Sequence, residues 1–194
     1  MENKERGYPN LHIALIHYPV YNKHRKVVAS AVSGLDLHDI ARAAKTYSVR
    51  SFAVVTPLKD QQALAKKILA HWTSGFGSTY NPNRKEALAL VRVKTSLQDV
   101  MNDIVNSGQG TPKTVVTDAR PHPNEIEYKA FAQMLKEDGS PYLILFGTAW
   151  GLTTEFINMA DYILSPIIGK GAYNHLSVRS AAAIILDRLL GEND

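Results

Sequence analysis

The chain has 194 residues, 45% apolar and 21% charged, which is room for one domain, or at most two small ones, around a substantial core. Cysteine is absent, so disulfides and thiolate metal sites are excluded and a reducing compartment fits. No apolar run approaches the roughly 18 residues of a membrane span, and residues 1–6 are charged where a secretory signal would be apolar, so the cytoplasm is the expected location.

Taken in order, the chain alternates strand and helix. Residues 11–17 read as a buried strand. Residues 36–47 read as a helix with Asp36 as N-cap and Leu37, Ile40, Ala41, Ala44 and Tyr47 at helical spacing. A strand over 51–56 is closed by Pro57, and a helix follows over 60–72. Residues 73–84, rich in Gly, Ser, Asn and Pro, read as a mobile surface loop. Then come a strand at 87–93, a helix at 96–105, a strand at 114–117, a helix at 124–135 and a strand at 141–146. A short helix at 153–159, a short strand at 161–164 and a long apolar helix at 176–190 complete the pattern. Six strands alternating with helices predict an α/β fold: one mostly parallel sheet with helices on both faces. No internal repeat or low-complexity tract interrupts it, so residues 1–194 read as a single domain.

Two strand ends open into glycine-bearing loops, Phe146-Gly147-Thr148-Ala149-Trp150-Gly151 and Ser165-Pro166-Ile167-Ile168-Gly169-Lys170-Gly171. Ligands of open α/β sheets gather at the carboxyl ends of strands. Neither loop matches G-x-G-x-x-G or G-x-x-x-x-G-K-[ST], so the common nucleotide-binding folds are not supported. The plainer reading, that these glycines only make turns, stands beside the ligand-site reading. The histidines show no metal spacing and no H-E-x-x-H, so no metal site is expected. No G-x-S-x-G elbow supports a hydrolase.

The net charge of +4 fits a polyanionic partner such as RNA without requiring one. Tyr18-Pro19-Val20-Tyr21-Asn22-Lys23-His24-Arg25-Lys26 interleaves aromatics with basic residues, a composition for stacking bases and pairing phosphates, or simply a polar loop. His38, Arg42 and Lys45 share one helix face, read either as a solvated basic face or as a contact for phosphate. Asp118, with Arg120, follows a strand end. It is either a turn cap or a general base.

Phe146-Gly147-Thr148-Ala149-Trp150-Gly151-Leu152, together with Leu176-Ser177-Val178-Arg179-Ser180-Ala181-Ala182-Ala183-Ile184-Ile185-Leu186, resembles the motifs FG(S/A)EGxG and SLNVSVAAAILL of the SPOUT class of methyltransferases, which use S-adenosylmethionine. Residues 36–44, followed by Val49-Arg50 and a strand, are similar to the N-terminal arginine motif of the ribose-methylating branch. The resemblance is nearest to a bacterial family of RNA methyltransferases sometimes fused to tRNA guanine-N1 methyltransferase. The chain departs from the motifs at the Glu, replaced within Thr148-Ala149-Trp150, at the Asn, which falls on Ser177, and at Ala43-Ala44, where Thr-Ala is usual.

The resemblance implies a C-terminal deep trefoil knot and a homodimer built on the last helix. It implies that Phe146, Gly147, Thr148, Gly151, Ile167, Ile168, Gly169, Tyr173 and Leu176 hold S-adenosylmethionine. On the acceptor side it implies Arg42, whose guanidinium stays protonated and so orients phosphate and stabilises a developing alkoxide. The expected reaction is ribose 2'-O-methylation of tRNA or rRNA. The alternatives are base methylation such as guanine N1 with Asp118 as base, or a non-catalytic partner of another methyltransferase.

Overall fold

The computed structural model describes residues 9–171 and 173–192; the charged stretch 1–6 lies outside them. The chain runs β1 (Leu11–Ile16), β2 (Val20–Tyr21), β3 (Val27–Val28), α1 (Gly34–Thr46), β4 (Ser51–Val55), α2 (Lys59–Thr73), α3 (Gly77–Tyr80), α4 (Pro82–Leu88), β5 (Val91–Lys94), α5 (Leu97–Asn106), β6 (Lys113–Thr117), β7 (Glu125–Ile126), α6 (Tyr128–Glu137), β8 (Tyr142–Gly147), α7 (Thr154–Asn158), β9 (Tyr162–Leu164) and α8 (Val178–Leu190). One seven-stranded sheet has the order β5-β4-β1-β8-β6-β9-β7, and every neighbouring pair is parallel. The two-stranded β2–β3 hairpin stands apart from it.

The strands are buried on both faces, as a covered parallel sheet requires. In β1, Leu11, Ile13 and Leu15 join a core with α1, α6 and α8, while Ala14 and Ile16 join a second core with α5 and α7. Each of these side chains is fully buried, and each buried aliphatic side chain contributes about 2 kcal/mol relative to exposure. β8 lies between β1 and β6, with Leu11 opposite Tyr142 and Thr114 opposite Leu143. The carboxyl ends of β1, β8, β6 and β9 therefore sit side by side.

The structure departs from four sequence expectations. The stretch read as a loop over 73–84 folds into α3 and the start of α4. Asn81 is the N-cap of α4, its side chain accepting from the Arg84 backbone N–H at 3.0 Å, and Pro82 opens the helix, a pairing that starts helices rather than loops. The strand expected at 87–93 accordingly begins only at Val91. The helix expected from Asn124 begins at Tyr128, because Asn124 has a left-handed backbone (φ 62°) that no helix interior accepts. The residues before it form β7, the seventh strand. The N-cap position of α1 is Ser33, and Asp36 falls in the first turn.

On the far face of the sheet, Ser96 and Asp99 close a reciprocal capping box at α5, with Asp99 N–H donating to Ser96 Oγ (3.2 Å) and Ser96 N–H to Asp99 Oδ2 (3.0 Å). Ser96→Ala is expected to cost about 1 kcal/mol and about 3 °C of melting temperature, read by calorimetry, while leaving ligand binding at the strand ends unchanged.

Candidate active site

A cavity of about 580 Å³ opens where β1, β8, β6 and β9 end. Its walls are the turn after β8 (Gly147 to Gly151), the segments after β6 (Asp118 to Arg120) and β9 (Ser165 to Ile167), and the entry and first turns of α8 (Asn174 to Ala181). Phe146, Ile167, Leu176 and Ile185 supply an apolar bed. The turn is tight: Gly151 N–H donates to Thr148 O (3.0 Å), with Ala149 (φ 53°) and Gly151 (φ 93°) both left-handed. At Gly147 a Cβ would come within 2.8 Å of Leu152 Cγ and 3.1 Å of Leu152 N, so glycine is required there by close approach.

A hydrogen-bonded chain holds that turn to β1. Thr148 Oγ1–H donates to Ile16 O (3.0 Å), Ser30 Oγ lies 2.6 Å from Thr148 Oγ1, and His17 Nδ1 lies 2.9 Å from Ser30 Oγ. Because the Thr148 proton is committed to a carbonyl, Ser30 must donate to Thr148, and His17 Nδ1–H must donate to Ser30. His17 is fully buried, and its Nε2 has no hydrogen-bond partner among the described residues. Burial lowers its pKa to about 4, against smaller opposing contacts with the Ser30 and Ala31 backbone. The imidazole is neutral at physiological pH.

Among the described lining residues, Asp36 and Asp118 are the only carboxylates, and each meets an arginine. Arg120 grips Asp118 through Nε to Oδ1 (3.2 Å) and Nη2 to Oδ2 (2.6 Å), and His122 Nε2 lies 2.9 Å from the same Oδ2. Burial pushes the Asp118 carboxyl up, but the Arg120 and His122 hydrogen bonds outweigh it and hold the pKa below the ordinary carboxylate value. Asp118 is therefore an ionised anchor and a weak proton acceptor. Asp36 Oδ1 lies 3.3 Å from Arg179 Nη1 of α8.

Of the residues expected to hold a cofactor, Phe146, Gly147, Thr148, Gly151, Ile167 and Leu176 line the cavity. Ile168, Gly169 and Tyr173 lie outside its lining and are exposed. Asp118 lines it, whereas Arg42 is exposed on α1 away from it. The face shared by Arg42 is only partly solvated: His38 packs edge-on against Trp72, and Lys45 pairs with Glu86 of α4 at 2.8 Å. Ser30 and Trp150 also line the cavity. No sequence periodicity marks Ser30, and Trp150 drew notice only as a departure from a motif.

The cavity suits a small organic ligand, since such sites occupy about 300–1,000 Å³ with mostly apolar walls and a few placed polar groups. Ser165 Oγ, buried and lining it, lacks a hydrogen-bond partner among the described residues and so offers a ligand an unused polar contact. A family model described as SAM-dependent RNA methyltransferase matches residues 10–191. The chain belongs to this family. S-adenosylmethionine is thus its cofactor, and the apolar bed and glycine turn fit that group.

A protein of Aquifex aeolicus is 40% identical over 184 residues, covering 95% of this chain and 90% of its own. A tRNA (guanine-N(1)-)-methyltransferase of Oleidesulfovibrio alaskensis is 42% identical over 190 residues, covering 98% of this chain and 44% of its own. The chain spans less than half the length of that relative. Among solved structures, a putative methylase family protein from Neisseria gonorrhoeae superposes with a TM-score of 0.65 at 14% identity, over 99% of this chain and 87% of that one. The SpoU methyltransferase AviRb from Streptomyces viridochromogenes, in complex with AdoMet, does so with a TM-score of 0.54 at 18% identity, over 93% and 58%. These likenesses establish a shared α/β fold.

Proposed function

We propose that the chain methylates a ribose 2'-hydroxyl of a structured RNA, tRNA or rRNA, as a homodimer whose loops after β8 and β9 form a deep trefoil knot around the cofactor. Bound S-adenosylmethionine supplies an electrophilic methyl on a sulfonium. The protein's part is to align an acceptor with it and to exclude water. Phe146, Gly147, Thr148, Gly151, Ile167 and Leu176 form the cofactor bed, and Ile168, Gly169 and Tyr173 flank it on the entry side. Arg42, remote from the cavity of its own chain, serves the partner's site across the dimer. There it orients a phosphate and stabilises the developing alkoxide, since a guanidinium stays protonated.

The observation that carries ribose over base is the pairing of both cavity carboxylates with arginines. A ring nitrogen would have to pass its proton to a carboxylate of the cavity, and neither Asp36 nor Asp118 is free; a 2'-hydroxyl held beside the Arg42 guanidinium releases its proton to water at the cavity mouth as the methyl–sulfonium bond breaks and the O–CH3 bond forms. Methylation of guanine N1 is the second reading, favoured by the name of the Oleidesulfovibrio alaskensis relative; Asp118 would be its base.

Titration calorimetry with S-adenosylmethionine, then transfer of a tritiated methyl to total RNA and nucleoside analysis, tests this. Label is expected in 2'-O-methylnucleosides; label in 1-methylguanosine would establish the second reading instead. Absence of both binding and transfer would sink the proposal. Arg42→Ala is expected to keep cofactor affinity and to lose about 100-fold in transfer, the scale of a lost transition-state donor; full activity would remove Arg42 from the site.

A further inference from the structure

Trp150 lies on the cavity wall, yet 64% of its surface faces solvent. The backbone displays it there. Ala149 and Gly151 on either side are left-handed. Trp150 N–H donates to Tyr21 O (3.1 Å), and Tyr21 N–H donates to Gly151 O (2.9 Å), while Val20 bridges to buried Leu152. The Trp150 backbone is thus fixed to the base of the β2–β3 hairpin, which holds the indole at the cavity mouth.

The hairpin tip carries Lys23, His24, Arg25 and Lys26, all exposed. Its shape is also fixed: the Asn22 side chain accepts from the His24 and Lys26 N–H groups (2.9 and 3.0 Å), and the Arg25 guanidinium sits 4.0 Å over the Tyr21 ring. The sequence holds no Asp or Glu between His17 and Leu35. An aromatic face and a run of cations on one rigid mount suit a base and its neighbouring phosphates. They do not suit a protein partner, because the cores of protein interfaces are depleted of charge.

We propose that Trp150 stacks on an unpaired base of the RNA substrate at the cavity mouth, with the Lys23–Lys26 tip gripping the adjoining phosphates. This rests on the RNA methyltransferase reading above. The substrate nucleotide is therefore looped out or extruded, since both faces of a base within a duplex are already covered.

The test uses the native chain saturated with S-adenosylmethionine. Indole emission is followed on adding a stem–loop RNA, or the fully paired duplex made from the same stem. The stem–loop is expected to quench emission, the duplex not, and the quench to vanish in Trp150→Ala. In methyl transfer to total RNA at saturating cofactor, Trp150→Ala should raise the KM for RNA about tenfold or more, and Trp150→Phe should restore most of it. Lys23→Ala and Lys26→Ala should each lower the salt dependence of RNA binding by about one unit of slope.

Equal quenching by the duplex, or quenching by the cofactor alone, would overturn the proposal. So would emission that shifts with protein concentration in the absence of RNA, which would assign the indole to a second copy of the chain. A wild-type protein that methylates RNA while Trp150→Ala does so equally well fails this inference alone. A wild-type protein that never binds cofactor fails the reading beneath it.

Discussion

Gly147→Val is expected to leave a folded protein that binds S-adenosylmethionine at least 100-fold more weakly. Gly147 ends β8, paired with Ile16 of β1. A Cβ there already meets Leu152 Cγ at 2.8 Å and Leu152 N at 3.1 Å. Leu152 cannot recede, because it is buried and bridged to Val20. The valine methyls must therefore push the turn from Thr148 to Gly151, which is the cavity wall. Overpacking of this kind costs about 1–3 kcal/mol in stability, a few degrees of melting temperature for a chain of this size. The same displacement falls entirely on the ligand, and a 100-fold loss corresponds to about 2.7 kcal/mol. Titration calorimetry on Gly147→Ala and Gly147→Val should show a graded loss. Affinity within twofold of wild type in both would mean that this turn does not touch the cofactor.

Acid is expected to weaken the protein through His17. In the unfolded chain a histidine takes up its proton near pH 6.5, whereas in the fold His17 resists until about 4. Between those values the unfolded state binds more protons, so stability falls as pH falls. The contribution is fully present above pH 6.5 and is lost by about pH 4. It amounts to about 3 kcal/mol at one pKa unit per 1.36 kcal/mol. His12 and His38 are also lowered, His12 chiefly by burial, and add to the same trend. Urea unfolding at a series of pH values should show this slope in the wild type and a shallower one in His17→Gln. A slope identical in both would falsify the assignment to His17. Protonation falls on Nε2, since Nδ1 already carries the proton donated to Ser30, and it would place a buried charge beside the chain that holds the turn to β1, so cofactor affinity should decline over the same window.

What was legible in the sequence was what depends on periodicity. The run Leu11 to Ile16, apolar at every position but His12, is buried on both faces, and the spacing of Leu37, Ile40, Ala41 and Ala44 is the buried stripe of α1. The two glycine loops pointed to the strand ends where the cavity lies. What escaped depends on single residues. Asn81-Pro82 looks like a loop until the Asn side chain caps a helix, and Asn124 looks helical until its backbone turns left-handed. Ser30 enters the cavity wall through tertiary packing against Thr148, with no signal of its own. Arg42 shares a helix with Asp36, but α1 turns the two to different sides, so one chain alone cannot unite Arg42 with the cavity.

The position of β8 shapes how the chain reaches its final form. It is the penultimate strand in sequence order, yet it inserts between β1 and β6. Until it does, the row Leu11 to Ile16 has an open edge on one side and β6 has another. Such edges template pairing with other chains. The ladder from Leu11 to Tyr142 closes a loop of about two thirds of the 194-residue chain, and topologies dominated by distant pairings fold slowly. A nascent chain that has emerged through α6 but not β8 is thus the stage most prone to aggregate, and the stage at which a chaperone has most to shield.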